Sequence, residues 1–102
     1  MSHTKYEVRL LRAAEDDLTE IIVYIAADRL TVAIKLTDKF NKKLALLANN
    51  PHLGSVPNED SLVQLGYRYL IVGNYLIFYI IEAPIIYVHR IIHGARNYTK
   101  LL

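Results

Sequence analysis

None of the 102 residues is a cysteine, which excludes a disulfide framework and thiolate chemistry alike. Four glycines and three prolines, against an apolar fraction of 53%, argue against intrinsic disorder and against a loop-rich secreted scaffold. No apolar run approaches the roughly 20 residues of a membrane helix; the longest lies around Tyr75–Ile81. The start, Met1-Ser2-His3-Thr4-Lys5, passes straight into alternating polar and apolar residues without the apolar stretch of a signal peptide. A cytoplasmic protein with no membrane association is therefore expected. Acids are missing from Ala83 to Leu102, where His89, Arg90, His93, Arg96 and Lys100 stand. Such a basic end suits an anionic partner, either a phosphate backbone or an acidic protein segment, or else is simply solvated. Familiar catalytic signatures are absent too: there is no P-loop, nucleophile elbow, paired-histidine zinc motif or glycine-rich dinucleotide turn. His89 and His93 are four apart, but on a predicted strand and with no third ligand nearby. Neither metal nor cofactor is expected.

The length fits one domain, residues 1–102, whose core buries about 60–65% of the unfolded surface. Lys5–Leu11 alternates charged and apolar side chains, the pattern of a half-buried strand. Glu15, Asp16 and Asp17 favour a helix N-terminus, and Leu18, Ile21, Ile22 and Ile25 recur at helical spacing, predicting a helix over Ala13–Asp28. Thr31 is a plausible N-cap for a second helix, Thr31–Asn49, with Ala33, Leu36, Phe40, Leu44 and Leu47 inward and Lys35, Lys39, Lys42 and Lys43 outward. Asn49-Asn50-Pro51 stops it. So short a joint predicts an antiparallel hairpin. His52–Leu65 is predicted to be one long loop, followed by strands at Tyr67–Val72, Tyr75–Glu82 and Ile85–His93. Gly73-Asn74 makes the first turn between them, Ala83-Pro84 the second, and Ala95–Leu102 forms a tail. The fold class is α+β: an N-terminal strand, a helix hairpin, then a three-stranded antiparallel meander that the first strand joins.

A helix hairpin covers one face of such a sheet. The other should then be polar, yet Tyr75–Ile81 is apolar or aromatic at every step. If the registers match, Tyr67, Tyr69, Tyr75, Tyr79 and Tyr87 share that second face. Either the tail or the long loop folds over it, or a partner does; the partner is the expectation, because large exposed apolar patches mark interaction sites.

Polar chemistry gathers in Arg90-Ile91-Ile92-His93-Gly94-Ala95-Arg96-Asn97-Tyr98. Arg96 or Arg90 could clamp a phosphate, His93 could move a proton near neutral pH, and Tyr98 could stack on a base or supply a proton. Metal-free RNA cleavage needs this set of a base, an acid and cations. The same residues have a structural reading: Arg90 paired with Glu82 or with an acid of the first helix, and His93 capping the strand end.

Tyr67-Arg68-Tyr69-Leu70-Ile71-Val72-Gly73-Asn74-Tyr75-Leu76-Ile77-Phe78-Tyr79, followed by Arg90-Ile91-Ile92-His93-Gly94-Ala95-Arg96-Asn97, resembles the C-terminal half of RelE/ParE superfamily toxins. Ala14, Asp17, Leu18, Pro51 and Gly54 extend the resemblance over nearly the whole chain. It implies the RelE/ParE-like fold and the toxin component of a bacterial type II toxin–antitoxin system, neutralised by a cognate antitoxin and oligomeric with it. RelE-like members are ribosome-dependent mRNA endoribonucleases; ParE-like members block DNA gyrase. The nuclease reading would use Arg68, Arg90, His93, Arg96 and Tyr98. The nucleases typically carry basic residues on the second and third strands, whereas Leu76-Ile77-Phe78 is wholly apolar here. That departure points to the ParE-like activity, with Tyr69, Tyr75, Tyr79, Tyr87 and Arg96 as target- or antitoxin-binding residues.

Overall fold

The structure is a computed structural model that describes residues 5–102; Met1–Thr4, all of the start considered above except Lys5, lie outside the described residues. The chain runs β1 (Glu7–Leu10), α1 (Arg12–Asp28), α2 (Leu30–Asn49), α3 (Asp60–Gln64), β2 (Tyr67–Val72), β3 (Tyr75–Glu82), β4 (Ile85–His93) and a short 3₁₀ turn, Tyr98–Lys100. One sheet holds the four strands in the order β1-β4-β3-β2, antiparallel except for β1, which lies parallel to β4. The expected α+β architecture is present.

Local chemistry accounts for most boundaries. Arg29 alone joins the two helices, in a non-helical conformation of φ −140° and ψ 76°. Helix α2 therefore begins at Leu30, and Thr31 sits inside its first turn rather than capping it; no side chain caps this end. At the other end the Asn50 N–H reaches Leu46 and Leu47 carbonyls, and the Asn50 side-chain amide donates to Leu46 O at 3.0 Å. The β2–β3 turn uses positive φ at Gly73 alone (57°), the arrangement of a two-residue hairpin with glycine first. The predicted loop His52–Leu65 contains α3, whose Leu62 is buried.

Register decides what each face carries. The two-residue turn pairs Val72 with Tyr75, so an odd-numbered residue of β2 lies opposite an even-numbered one of β3: Tyr69 opposite Phe78, Arg68 opposite Tyr79. Tyr75 and Tyr79 consequently point to the helices while Tyr67 and Tyr69 point away, and the five tyrosines do not share a face. A bulge in β4 adds a second shift, since Phe78 pairs with Arg90 and Tyr79 with Val88, leaving His89 as the extra residue. Ile86, Val88 and Ile91 therefore face the helices despite their mixed parity, in a core with Ala14, Phe40, Leu47, Leu70, Val72, Ile77 and Tyr79.

The second face is not open. Leu62, Tyr67, Phe78 and Ile92 form a smaller buried cluster there, and Tyr69, Leu76, Ile80, Tyr98, Leu101 and Leu102 pack on it. Helix α3 and the tail cover much of it, leaving Ile71 exposed and Tyr69, Leu76, Ile80 and Tyr87 half-buried. This corrects the expectation of an exposed tyrosine-rich face.

Candidate functional site

The sheet is asymmetric at β4. Strand β1 ends at Leu10, and the Leu11 N–H to Val88 O bond is the last link along that edge. Beyond it the outer backbone of β4 would be bare, but α1 turns back at once and lays Asp17 against it. The Asp17 carboxylate accepts the Ile91 N–H at 3.0 Å and the Arg90 guanidinium in a fork, Nε at 2.7 Å and Nη2 at 2.9 Å. Arg90 Nη1 also donates to Leu101 O at 3.1 Å. Both side chains of the pair are largely withdrawn from water, and the hydrogen bond to Asp17 raises the Arg90 pKa further. One cation thus joins the helix layer, the strand edge and the tail.

The other candidate groups are placed differently. Arg68 Nη2 donates to Gly54 O at 2.7 Å and His52 O at 3.1 Å, holding the loop after α2 to the sheet. Tyr79, fully buried, fastens the same loop: its hydroxyl donates to Pro51 O and accepts the Gly54 N–H, both at 2.9 Å. Only glycine fits between, since a Cβ on residue 54 would come within 2.6 Å of Tyr69 O and of the Tyr79 hydroxyl. Tyr98 lies over the Phe78 ring, centroids 5.0 Å apart, and donates to Glu59 Oε1 at 3.1 Å. Burial first, then Glu59, raises its pKa, so the phenol keeps its proton.

His93 and Arg96 remain at the open end of β4. His93 is exposed; Nδ1 accepts the Ala95 N–H at 3.1 Å, which leaves the neutral ring's proton on Nε2. Its ring stands edge-on to Tyr75, which is half-buried against Phe40. The Arg96 backbone closes the turn onto His93 O, and its guanidinium has no partner among the described residues. His89 faces the other way and shares a 3.2 Å hydrogen bond with the Tyr67 hydroxyl. Burial lowers its pKa, with Glu82 acting weakly against this. The five candidate catalytic residues are therefore not convergent. Arg68 and Arg90 lie on strands separated by β3, Tyr98 sits on the second face, and only His93 and Arg96 are neighbours on one turn and exposed.

Two surface features were not anticipated from the sequence. Along the outer edge of β2 an open groove of about 310 Å³ runs between Ile71, Val72 and Gly73 on one side and Lys39, Lys42, Lys43 and Leu46 of α2 on the other. The lysine face of α2 was the available signal; apart from Leu46, the other lining residues come from β2 and its turn. The second surface surrounds the joint between α1 and α2, where Val23, Tyr24, Leu30, Val32 and Ile34 are exposed.

Residues 8–98 match the family model described as the ParE toxin of the type II toxin–antitoxin system, parDE. No curated protein matches. Among solved structures, the chain is similar to one from the chromosomal ParDE toxin–antitoxin system of Pseudomonas aeruginosa. The two are 18% identical, with a TM-score of 0.71 over 90% of this chain and 98% of that one. It is also similar to a chain of the RelBE2 toxin–antitoxin complex of Mycobacterium tuberculosis, at 21% identity and a TM-score of 0.60, over 93% and 98% of the two chains. No helix among the described residues is long and apolar enough to cross a membrane.

Proposed function

Because the chain belongs to the ParE toxin family of type II toxin–antitoxin systems, we propose that it inhibits growth in the cytoplasm by binding DNA gyrase rather than by cutting RNA, and that a cognate antitoxin neutralises it in a mixed oligomer. The observation that carries this reading is the engagement of Arg68, Arg90 and Tyr98 in internal bonds. Cleavage by 2′-OH attack needs a base, an acid and cations around one phosphate, and His93 with Arg96 supplies only part of that set. A binding toxin needs no such convergence; an exposed cation and partly open aromatic rings suffice. Arg96, with the half-buried Tyr69, Tyr75 and Tyr87, meets that description. Tyr79 is enclosed and drops out of the contact set. The toxin–antitoxin systems named for both structural neighbours support the antitoxin partner, and the lysine-rimmed groove suits an acidic segment of it.

A supercoiling assay run beside ribosome-programmed translation tests the proposal. Supercoiling should fall in the presence of the wild type, and Arg96→Glu should weaken the inhibition while mRNA stays intact. Codon-specific cuts in ribosome-bound mRNA that fall by roughly 10²–10⁴-fold with His93→Gln would establish the nuclease instead.

A further inference from the structure

The two helices of the hairpin carry opposite charge. Five acids stand against one arginine in α1, and four lysines against one aspartate in α2. Three of the lysines border the groove beside β2. On the acidic helix the counterpart is a hollow of about 290 Å³ between α1 and the start of β3, bounded by Glu20, Ile21, Tyr24 and Tyr75.

Each wall of this hollow has its own character. Glu20 and Tyr24 are four residues apart and stand on one face of the helix. Tyr24 is 83% exposed. Tyr75 enters from the strand, its ring held by Phe40 and edge-on to His93, with centroids 6.1 and 5.4 Å away. Ile21, partly buried at the margin of the main core, adds an apolar surface. Glu20 is exposed and forms no ion pair among the described residues. Arg90 feels its charge, but each guanidinium nitrogen of Arg90 already donates elsewhere: Nε and Nη2 to Asp17, Nη1 to Leu101 O. The Glu20 carboxylate is left without a donor.

A carboxylate beside two phenol rings and an apolar side chain is the chemistry that accepts a cation on an aliphatic stem. The rings attract the charge, the carboxylate pairs with it, and the stem lies against Ile21. An anion would meet the acids of α1, and an apolar group would desolvate Glu20 without pairing it. The volume is at the lower end of sites that enclose a small molecule, which suits one side chain presented by a docked protein. Arginine fits best, since its planar group stacks on rings and also forks onto a carboxylate.

We propose that this hollow is a subsite for an arginine side chain of a protein partner, with Glu20 pairing the guanidinium and Tyr24 and Tyr75 flanking it. The assignment does not depend on whether the chain acts on gyrase or on mRNA.

Titration of the full chain with N-acetylarginine methylamide tests it, followed by NMR at the backbone amides of residues 20–24 and at the rings of Tyr24 and Tyr75. The shifts should saturate with a Kd of roughly 1–10 mM, the scale of a single captured side chain. N-acetylglutamine methylamide should give no saturable shift. Glu20→Gln should raise the Kd about 5-fold and Tyr24→Leu about 3-fold. Tyr24→Phe should keep it within about 2-fold of wild type, because the ring rather than the hydroxyl makes the contact. Both positions are exposed, so the circular dichroism spectra should match that of the wild type. Saturable shifts centred away from these residues, equal shifts with the glutamine compound, or a Kd unchanged by Glu20→Gln overturns the proposal.

Discussion

Two long helices close one face of the sheet, while a five-residue helix and the tail close the other. The helix-covered core holds the largest set of fully buried side chains and depends on regular periodicity. The second cluster is smaller, its cover is irregular, and polar ties hold that cover in place: Arg90 to Leu101 and Tyr98 to Glu59. One layer is stabilised by area, the other by a few directional bonds over a thin apolar patch. The two should fail in different ways.

The largest effect belongs to the first layer. Phe40→Ala empties a fully buried site between α2 and Tyr75 and should cost about 3–5 kcal/mol, read as a lower urea midpoint with an unchanged slope. A loss below about 1 kcal/mol would show that the helices contribute less than their burial indicates.

Asp17→Ala acts on both layers at once. It leaves Nε and Nη2 of Arg90 and the Ile91 N–H without acceptors in a largely dry site, only Nη1 keeping Leu101 O, at a cost of about 2–3 kcal/mol. The tail should loosen as Arg90 loses its orientation, so proteolysis near Leu101 should quicken before global unfolding. Unaltered tail cleavage would separate the two layers.

A smaller effect concerns pH and the second face alone. Burial holds the His89 pKa below its ordinary 6.5. The unfolded chain therefore takes up this proton near pH 6.5, and the folded chain only at lower pH. Between those values the unfolded state binds more protons, so stability falls on acidification and returns on raising the pH. The urea midpoint should drop from pH 7.5 to pH 5.5, and His89→Phe should flatten the drop. A wild-type midpoint that is constant over this range would remove the Tyr67–His89 contact from the account.

The order and type of the long elements were legible because each carries its own period: the helical spacing of Leu18, Ile21 and Ile25, the alternation of Lys5–Leu11, and the Gly73-Asn74 turn. That turn also implied that Tyr69 and Tyr79 lie on opposite faces, since two central residues fix which parities meet; tyrosine content alone obscured this. The bulge at His89 has no local mark in the sequence; it falls where β1 has ended and Asp17 meets the strand edge. Helix α3 was hidden by its brevity among loop residues. For the site, an acid of the first helix stood among the readings for Arg90, but Asp17 as an acceptor for a strand edge is a tertiary fact. The lysine-rimmed groove joins residues from α2 and β2 and has no signature in either segment alone.

The parallel pairing of β1 with β4 bears on how the protein is made. Val8 lies beside Ile86, and β4 stands inside the sheet with β3 on its other flank. A ribosome delivers β1 before β4, on the order of several seconds earlier at ordinary elongation rates. Until then α1 and α2 lack most of the sheet they pack on, and Asp17 lacks both the strand edge and the arginine it binds. The finished surface, with His93 and Arg96 displayed at the end of β4, comes into being only once β4 has been made, so a toxin built on this topology stays unassembled while the segment from β1 to β4 is synthesised.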